Sequence, residues 1–111
     1  MSYINKLVKE IHQTAKDKGW WNTPRSTPEC IALMHSELSE SLEEYRLYGD
    51  STRMSIRMKQ GKPEGTVVEL ADTVIRIMDL CGARNWDLEE ALRIKLAYNK
   101  TRSFRHGNKK A

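Results

Sequence analysis

The fold class that this 111-residue sequence predicts is all-α, a four-helix-type bundle. Three observations predict it. Apolar residues recur at helical spacing in four segments. Glycine, proline and cap-forming residues separate those segments. No stretch shows the alternation of a half-buried strand. The length suits one domain with a modest hydrophobic core. We read 1–106 as that domain and 107–111 as a basic tail.

The first helix is expected from about Ser2 to Lys18, with Ile4, Leu7, Val8, Ile11 and Ala15 on one stripe and Gly19 ending it. The run G-W-W-N-T-P-R-S-T-P breaks the period with two prolines and reads as a loop. The second helix opens at Thr27 as N-cap, with Pro28 at the first helical position, and closes near Tyr48, Gly49 and Asp50. Its expected core stripe is Ile31, Met34, Leu38, Leu42 and Tyr45. The polar stretch R-M-S-I-R-M-K-Q-G-K-P reads as mobile, with Met54, Ile56 and Met58 available for a short helix or for a partner subunit.

The third helix is expected from Pro63 and Glu64 to a C-cap at Gly82. Its Val67, Val68, Leu70, Val74, Ile75, Ile77, Met78 and Cys81 cover about half the circumference at 100° per residue. That is more apolar surface than three neighbouring helices cover, so a homodimer or homotetramer is expected. The fourth helix opens at Asp87, with Glu90 three residues on, and continues through Leu88, Ala91, Leu92, Leu96 and Tyr98 to about Arg102.

Composition excludes some roles. No apolar run approaches the roughly 20 residues needed to cross a bilayer, so no membrane partner is expected. The opening M-S-Y-I-N-K-L-V-K-E lacks an apolar leader, and a cytoplasmic address is the expectation. Cys30 and Cys81 stand alone, without metal-type spacing, and read as buried thiols. The net charge is +4, and no acidic residue follows Glu90, whereas Arg93, Lys95, Lys100, Arg102, Arg105, Lys109 and Lys110 do. Such an end suits a polyanion, either nucleic acid or a nucleoside triphosphate. Lys109 and Lys110 alone read as a solvated tail.

The strongest chemical signal is carboxylic. Glu37 and Glu40 lie in H-S-E-L-S-E, and Glu69 and Asp72 lie in V-E-L-A-D. In each pair the two residues share one helix face. Leu33, Leu47 and Tyr48 border the first pair, which is unusual for a plain solvent face. Glu69, Asp72, Arg76 and Asp79 form one polar stripe on the third helix. The ordinary alternative is that Glu37 and Glu40 are surface acids and that Glu69 and Asp72 pair with Arg76 or Lys95. If the two helices pack together, four carboxylates converge, and a hard dication makes that tolerable. Magnesium fits such an oxygen donor set. Zinc would call for histidine or cysteine at ligand spacing, but His35 points away from Glu37, and His12 and His106 stand alone. A di-iron bundle would need Glu-x-x-His, which the chain lacks.

These motifs resemble those of the MazG family of all-α nucleoside triphosphate pyrophosphohydrolases. The matching pattern is E-x-x-E at Glu37 and Glu40, a spacer of 28 residues, then E-x-x-D at Glu69 and Asp72. Downstream K-x-x-x-N-x-x-R/K is present as Lys95, Asn99 and Arg102, and W-x-x-P-R-S precedes the second helix. The similarity spans about Ile4 to His106. Ser39 stands where many members have glycine, and the spacer is at the long end.

The resemblance implies hydrolysis of an NTP or dNTP to the monophosphate and pyrophosphate, in cleaning or biasing of the nucleotide pool. Glu37, Glu40, Glu69 and Asp72 would hold Mg2+, with Mn2+ as a substitute. Lys95 and Arg102 would meet phosphate oxygens, and Asn99 the phosphates or the sugar. Mg2+ neutralises the triphosphate and a carboxylate, Glu37 or Glu40, deprotonates water for in-line attack at the α-phosphorus. In the loop, either Trp20 or Trp21 could stack on a base, with Trp21 slightly preferred, Asn22 or Thr23 could read its edge, and Arg25 is a further phosphate contact. Both tryptophans are equally suited to anchoring a core. Two other readings compete. One is a non-enzymatic helical module binding nucleic acid or a partner through the basic end. The other is a purely structural oligomer or toxin–antitoxin partner. The paired acids disfavour the first, because without metal they repel a phosphate backbone; no nucleic acid is therefore expected.

Overall fold

The computed structural model describes residues 2–105. His106 and the basic tail 107–111, including Lys109 and Lys110, lie outside the described residues. The element order is α1 (Tyr3–Asp17), α2 (Thr27–Tyr48), α3 (Thr52–Ser55), β1 (Arg57–Lys59), β2 (Lys62–Glu64), α4 (Thr66–Arg84) and α5 (Leu88–Thr101). The architecture is all-α apart from one small hairpin.

Helix α1 starts where the Ser2 hydroxyl accepts the Asn5 amide at 3.1 Å and stops at Lys18, before Gly19 at φ +87°. Its expected stripe packs on α4. Val8, Met78 and Cys81 form the buried centre, with Ile4, Leu7, Ile11, Ile77 and Leu88 around it. Both cysteines are buried and free. Gly82 is not the cap of α4. It lies inside the helix, where a Cβ would come within 2.6 Å of the His12 Cβ, so glycine sets how closely α1 and α4 approach. The cap is Asn85 in the left-handed region (φ 57°, ψ 38°), a conformation asparagine tolerates.

Helix α2 begins one residue away from its expected cap: Ser26, not Thr27, accepts the Glu29 amide at 3.2 Å. A larger correction concerns its buried face. Ile31, Leu38, Leu42 and Tyr45, expected in the core, are 45–49% exposed. The buried residues of α2 are Cys30, Glu37 and Ser41. On α4, Val67, Leu70, Val74 and Ile75 are likewise 44–46% exposed. Periodicity marks a face that prefers to leave water; it does not say which surface covers it. What α2 buries within this chain is instead a mixed face, Glu37 and Ser41 beside Cys30. The Cα radius of gyration, 16.5 Å, exceeds the roughly 13 Å of a compact domain of this length.

The segment after α2 is also corrected. In place of a mobile stretch, α3 leads into an antiparallel hairpin with Arg57 opposite Glu64, Met58 opposite Pro63 and Lys59 opposite Lys62. Gln60 (φ 53°) and Gly61 (φ 80°) make its two-residue turn, which requires positive φ at both positions. Pro63 and Glu64 therefore belong to β2, and α4 starts after Gly65 (φ 131°), where a Cβ would collide with the Ser55 carbonyl. Arg57 ties the hairpin to α2. It donates to Glu44 (3.0 Å), Glu64 (3.4 Å) and the Met54 carbonyl (3.0 Å), with its guanidinium 4.4 Å from the Tyr48 ring centroid.

Helix α5 opens at Asp87 as expected, the carboxylate accepting the Glu90 amide at 3.0 Å and the Asn5 side chain at 3.1 Å. It has no buried residue among those described. Leu92, Leu96 and Tyr98, expected to pack inward, are exposed; Leu88 alone of its expected apolar set joins the core margin. No helix among the described residues is long and apolar enough to cross a membrane.

Candidate functional site

The two acid pairs meet where α2 lies along α4. Each of Glu37, Glu40 and Glu69 offers a carboxylate oxygen within 4.8 Å of the others. Glu37 is buried, Glu40 exposed and Glu69 half-buried. Asp72 is half-buried one turn along α4 and borders, with Glu37, a cavity of about 380 Å³. Three carboxylates in this proximity present hard oxygen donors on fixed helical backbones, a donor set that fits magnesium or manganese.

The electrostatics are those of an acid excess. Burial, a hydrogen bond with Glu40 and the charges of Asp72, Glu40 and Glu37 push Glu69 up to about 7. Burial and the Glu37 carboxylate raise Asp72 above the usual range, with Arg76 partly opposing them. Arg76 enters the cluster, its Nε donating to Glu37 Oε1 at 2.8 Å, and the charge of Lys62 also acts on Asp72. The pairing that the sequence suggested for Arg76, with Glu69 or Asp72, is thus made with Glu37 across the helix contact.

The cavity lies between α1, the 18–26 loop and α4. Leu7, Ile11, Ala15 and Ile75 give it an apolar wall, and Lys18, Trp20, Arg25 and Arg76 line it beside Glu37, Asp72 and Asp79. Two guanidinium groups approach Trp20, Arg25 at 5.2 Å and Arg76 at 5.9 Å from its ring centroid. Arg25 therefore sits at the cavity. Trp21 does not line it; its indole Nε1 donates to Asp79 at 2.9 Å, and its ring meets His12 edge-on with centroids 5.5 Å apart. His12 is not alone, because its Nδ1 lies 2.7 Å from Asp79 Oδ1. Arg84 completes this anchor, donating to the Thr27 hydroxyl (3.1 Å) and the Arg25 carbonyl (2.6 Å). The loop is thereby fixed to α4, with Trp20 turned to the cavity and Trp21 to the interior.

Lys95, Asn99 and Arg102 are not among the cavity-lining residues. Lys95 and Asn99 lie on α5 and Arg102 is its C-cap, and α5 packs on α1. Lys95 Nζ and the Arg102 guanidinium lie 5.1 and 5.5 Å from the Tyr98 ring centroid. Asn99 Oδ1 is buried without a hydrogen-bond partner among the described residues. The structure thus brings Glu37, Glu40 and Glu69 together, sets Asp72 and Arg25 beside them, and leaves the Lys95–Asn99–Arg102 face apart. The sequence set Trp21 slightly ahead of Trp20 for stacking, whereas Trp20 lines the cavity, and it gave no signal for Lys18 there. The polar stripe of α4 already contained Asp79, but the partners of that stripe are distant in sequence.

Compared with family models, with curated proteins and with solved structures, the chain matches none.

Proposed function

We propose that the protein is a magnesium-dependent nucleoside triphosphate pyrophosphohydrolase that converts an NTP or dNTP to the monophosphate and pyrophosphate. The observation that carries the reading is the convergence of Glu37, Glu40 and Glu69 within 4.8 Å, next to a cavity holding an indole and three cations. The resemblance of the E-x-x-E and E-x-x-D motifs to those of the MazG family supports the same reading.

Glu37, Glu40 and Glu69 would hold the dication, with Asp72 beside them. Bound magnesium would neutralise the triphosphate and stabilise charge on its oxygens during in-line attack. The chain's own groups supply the rest. Trp20 offers a stacking face for a base, Arg25 and Lys18 offer charge for phosphates, and a carboxylate left free of metal accepts the proton of the attacking water. Water adds to the α-phosphorus, and the bond to the bridging oxygen of pyrophosphate breaks.

Oligomerisation belongs to the same proposal. Ile31, Leu38, Leu42 and Tyr45 of α2 and Val67, Leu70 and Val74 of α4 are exposed apolar residues on two packed helices, surface suited to a second copy. In such a homodimer or homotetramer, Lys95, Asn99 and Arg102 could serve the substrate from a neighbouring copy.

The test is pyrophosphate release from a panel of NTPs and dNTPs, with and without Mg2+. Release that needs Mg2+ and is abolished in Glu40→Ala and Asp72→Ala, with helical circular dichroism retained, is the expected result. Turnover that survives either substitution, or no release from any nucleotide, sinks the assignment.

A further inference from the structure

Arg76 is an arginine with unused capacity. A guanidinium carries five N–H donors in a planar fork. Arg57 spends both of its terminal nitrogens, on Glu44, Glu64 and the Met54 carbonyl. Arg84 spends Nε and a terminal nitrogen on Thr27 and Arg25. Arg76 spends only Nε, on Glu37 at 2.8 Å, and its two terminal nitrogens meet no acceptor among the described residues. It lines the cavity, its side chain is 30% exposed, and its guanidinium lies 5.9 Å from the Trp20 ring centroid. It therefore touches both the acid cluster and the aromatic wall.

We propose that Arg76 serves two partners in turn: it neutralises Glu37 in the free protein and presents its unused fork to a phosphate group of the substrate once the nucleotide occupies the cavity. The inference rests on the proposed function. It follows from charge and geometry. A buried carboxylate needs a counterion, and Arg76 supplies it. A dication held by Glu37, Glu40 and Glu69 takes over that task and repels the guanidinium, whereas a triphosphate reaching from Trp20 toward the acids passes the terminal nitrogens. Bidentate arginine–phosphate contact is the strongest use of that fork.

This role gives one substitution opposite effects on two ligands. In Arg76→Gln, the competing cation is gone, so Mg2+ alone binds several-fold tighter in calorimetry. The phosphate contact is gone too, so an α,β-methylene nucleoside triphosphate with Mg2+ binds about tenfold weaker or worse. Arg76→Lys keeps the charge and loses the fork; it leaves Mg2+ affinity near wild type and weakens the nucleotide by a smaller factor. The lysine variant also carries the test if the glutamine variant melts below the assay temperature. A purely structural Arg76 would weaken both ligands together, and that result overturns the proposal. An unchanged nucleotide affinity in both variants overturns it equally. Wild type that binds Mg2+ and nucleotide while the variants match it removes this inference alone; wild type that binds no Mg2+ removes the proposed function as well.

Discussion

Metal binding should expel a proton near neutral pH. Glu69 is held at about 7 by burial, by its hydrogen bond with Glu40 and by the Asp72, Glu40 and Glu37 charges. A dication accepts only the ionised carboxylate, so loading the site must release whatever proton Glu69 carries. With a value of about 7, Glu69 is about 90% protonated at pH 6, about half at pH 7 and about 10% at pH 8. Mg2+ or Mn2+ should therefore release about 0.9, 0.5 and 0.1 protons per site at those pH values. The assay is calorimetry in buffers of differing ionisation enthalpy, where the slope of apparent heat against that enthalpy counts protons. Apparent metal affinity should fall by about fivefold from pH 7 to pH 6 as the site titrates. Glu40→Gln gives the control. An amide in place of the acid removes a repulsive charge and donates to Glu69, so Glu69 drops toward its ordinary value and the release at pH 7 shrinks. A proton count near zero from pH 6 to pH 8 with saturable metal binding would refute the electrostatic account of the cluster.

Three further outcomes follow from the same geometry. The raised Glu69 means that, between about 4.5 and 7, the folded chain holds more protons than the unfolded one; metal-free stability should therefore fall as pH rises through that window. The loss should be roughly 1–2 kcal/mol after solvent screening of a partly exposed group, read from urea unfolding at pH 5 and 8 and erased by saturating Mg2+. Gly82→Ala forces a Cβ into His12 at 2.6 Å and should destabilise the α1–α4 contact by about 1–3 kcal/mol, whereas a loss near zero would mean that the helices part freely. Leu42→Glu, in the exposed stripe of α2, should lower the mass seen by light scattering to that of one 12.9 kDa chain without lowering helicity, and an unchanged assembly would place the interface elsewhere.

Much of the chain was legible because its signals are local. The α1 stripe, the Asp87 cap, the C-terminal end of α2 and the shared faces of Glu37 with Glu40 and Glu69 with Asp72 all follow from the 3.6-residue period and from cap chemistry. The hairpin was not legible. Three-residue strands are too short to show alternation, and the glycine in Gln60–Gly61 could equally belong to a loop. Gly82 misled for a related reason: glycine marks a helix end or a close approach, and only the His12 contact distinguishes them.

The sequence by itself determined that this protein would be helical and that its acids would stand in pairs on two helices, because both depend on neighbours within a turn or two. Tertiary structure decided which faces meet. It turned the acidic side of α2 to α4 and left Leu38 and Leu42 outside, joined Glu37 to Arg76 across 39 positions of chain, and chose Trp20 over Trp21 for the cavity through Asp79 and Arg84. Those choices depend on long-range packing and charge balance, which no short-range period encodes.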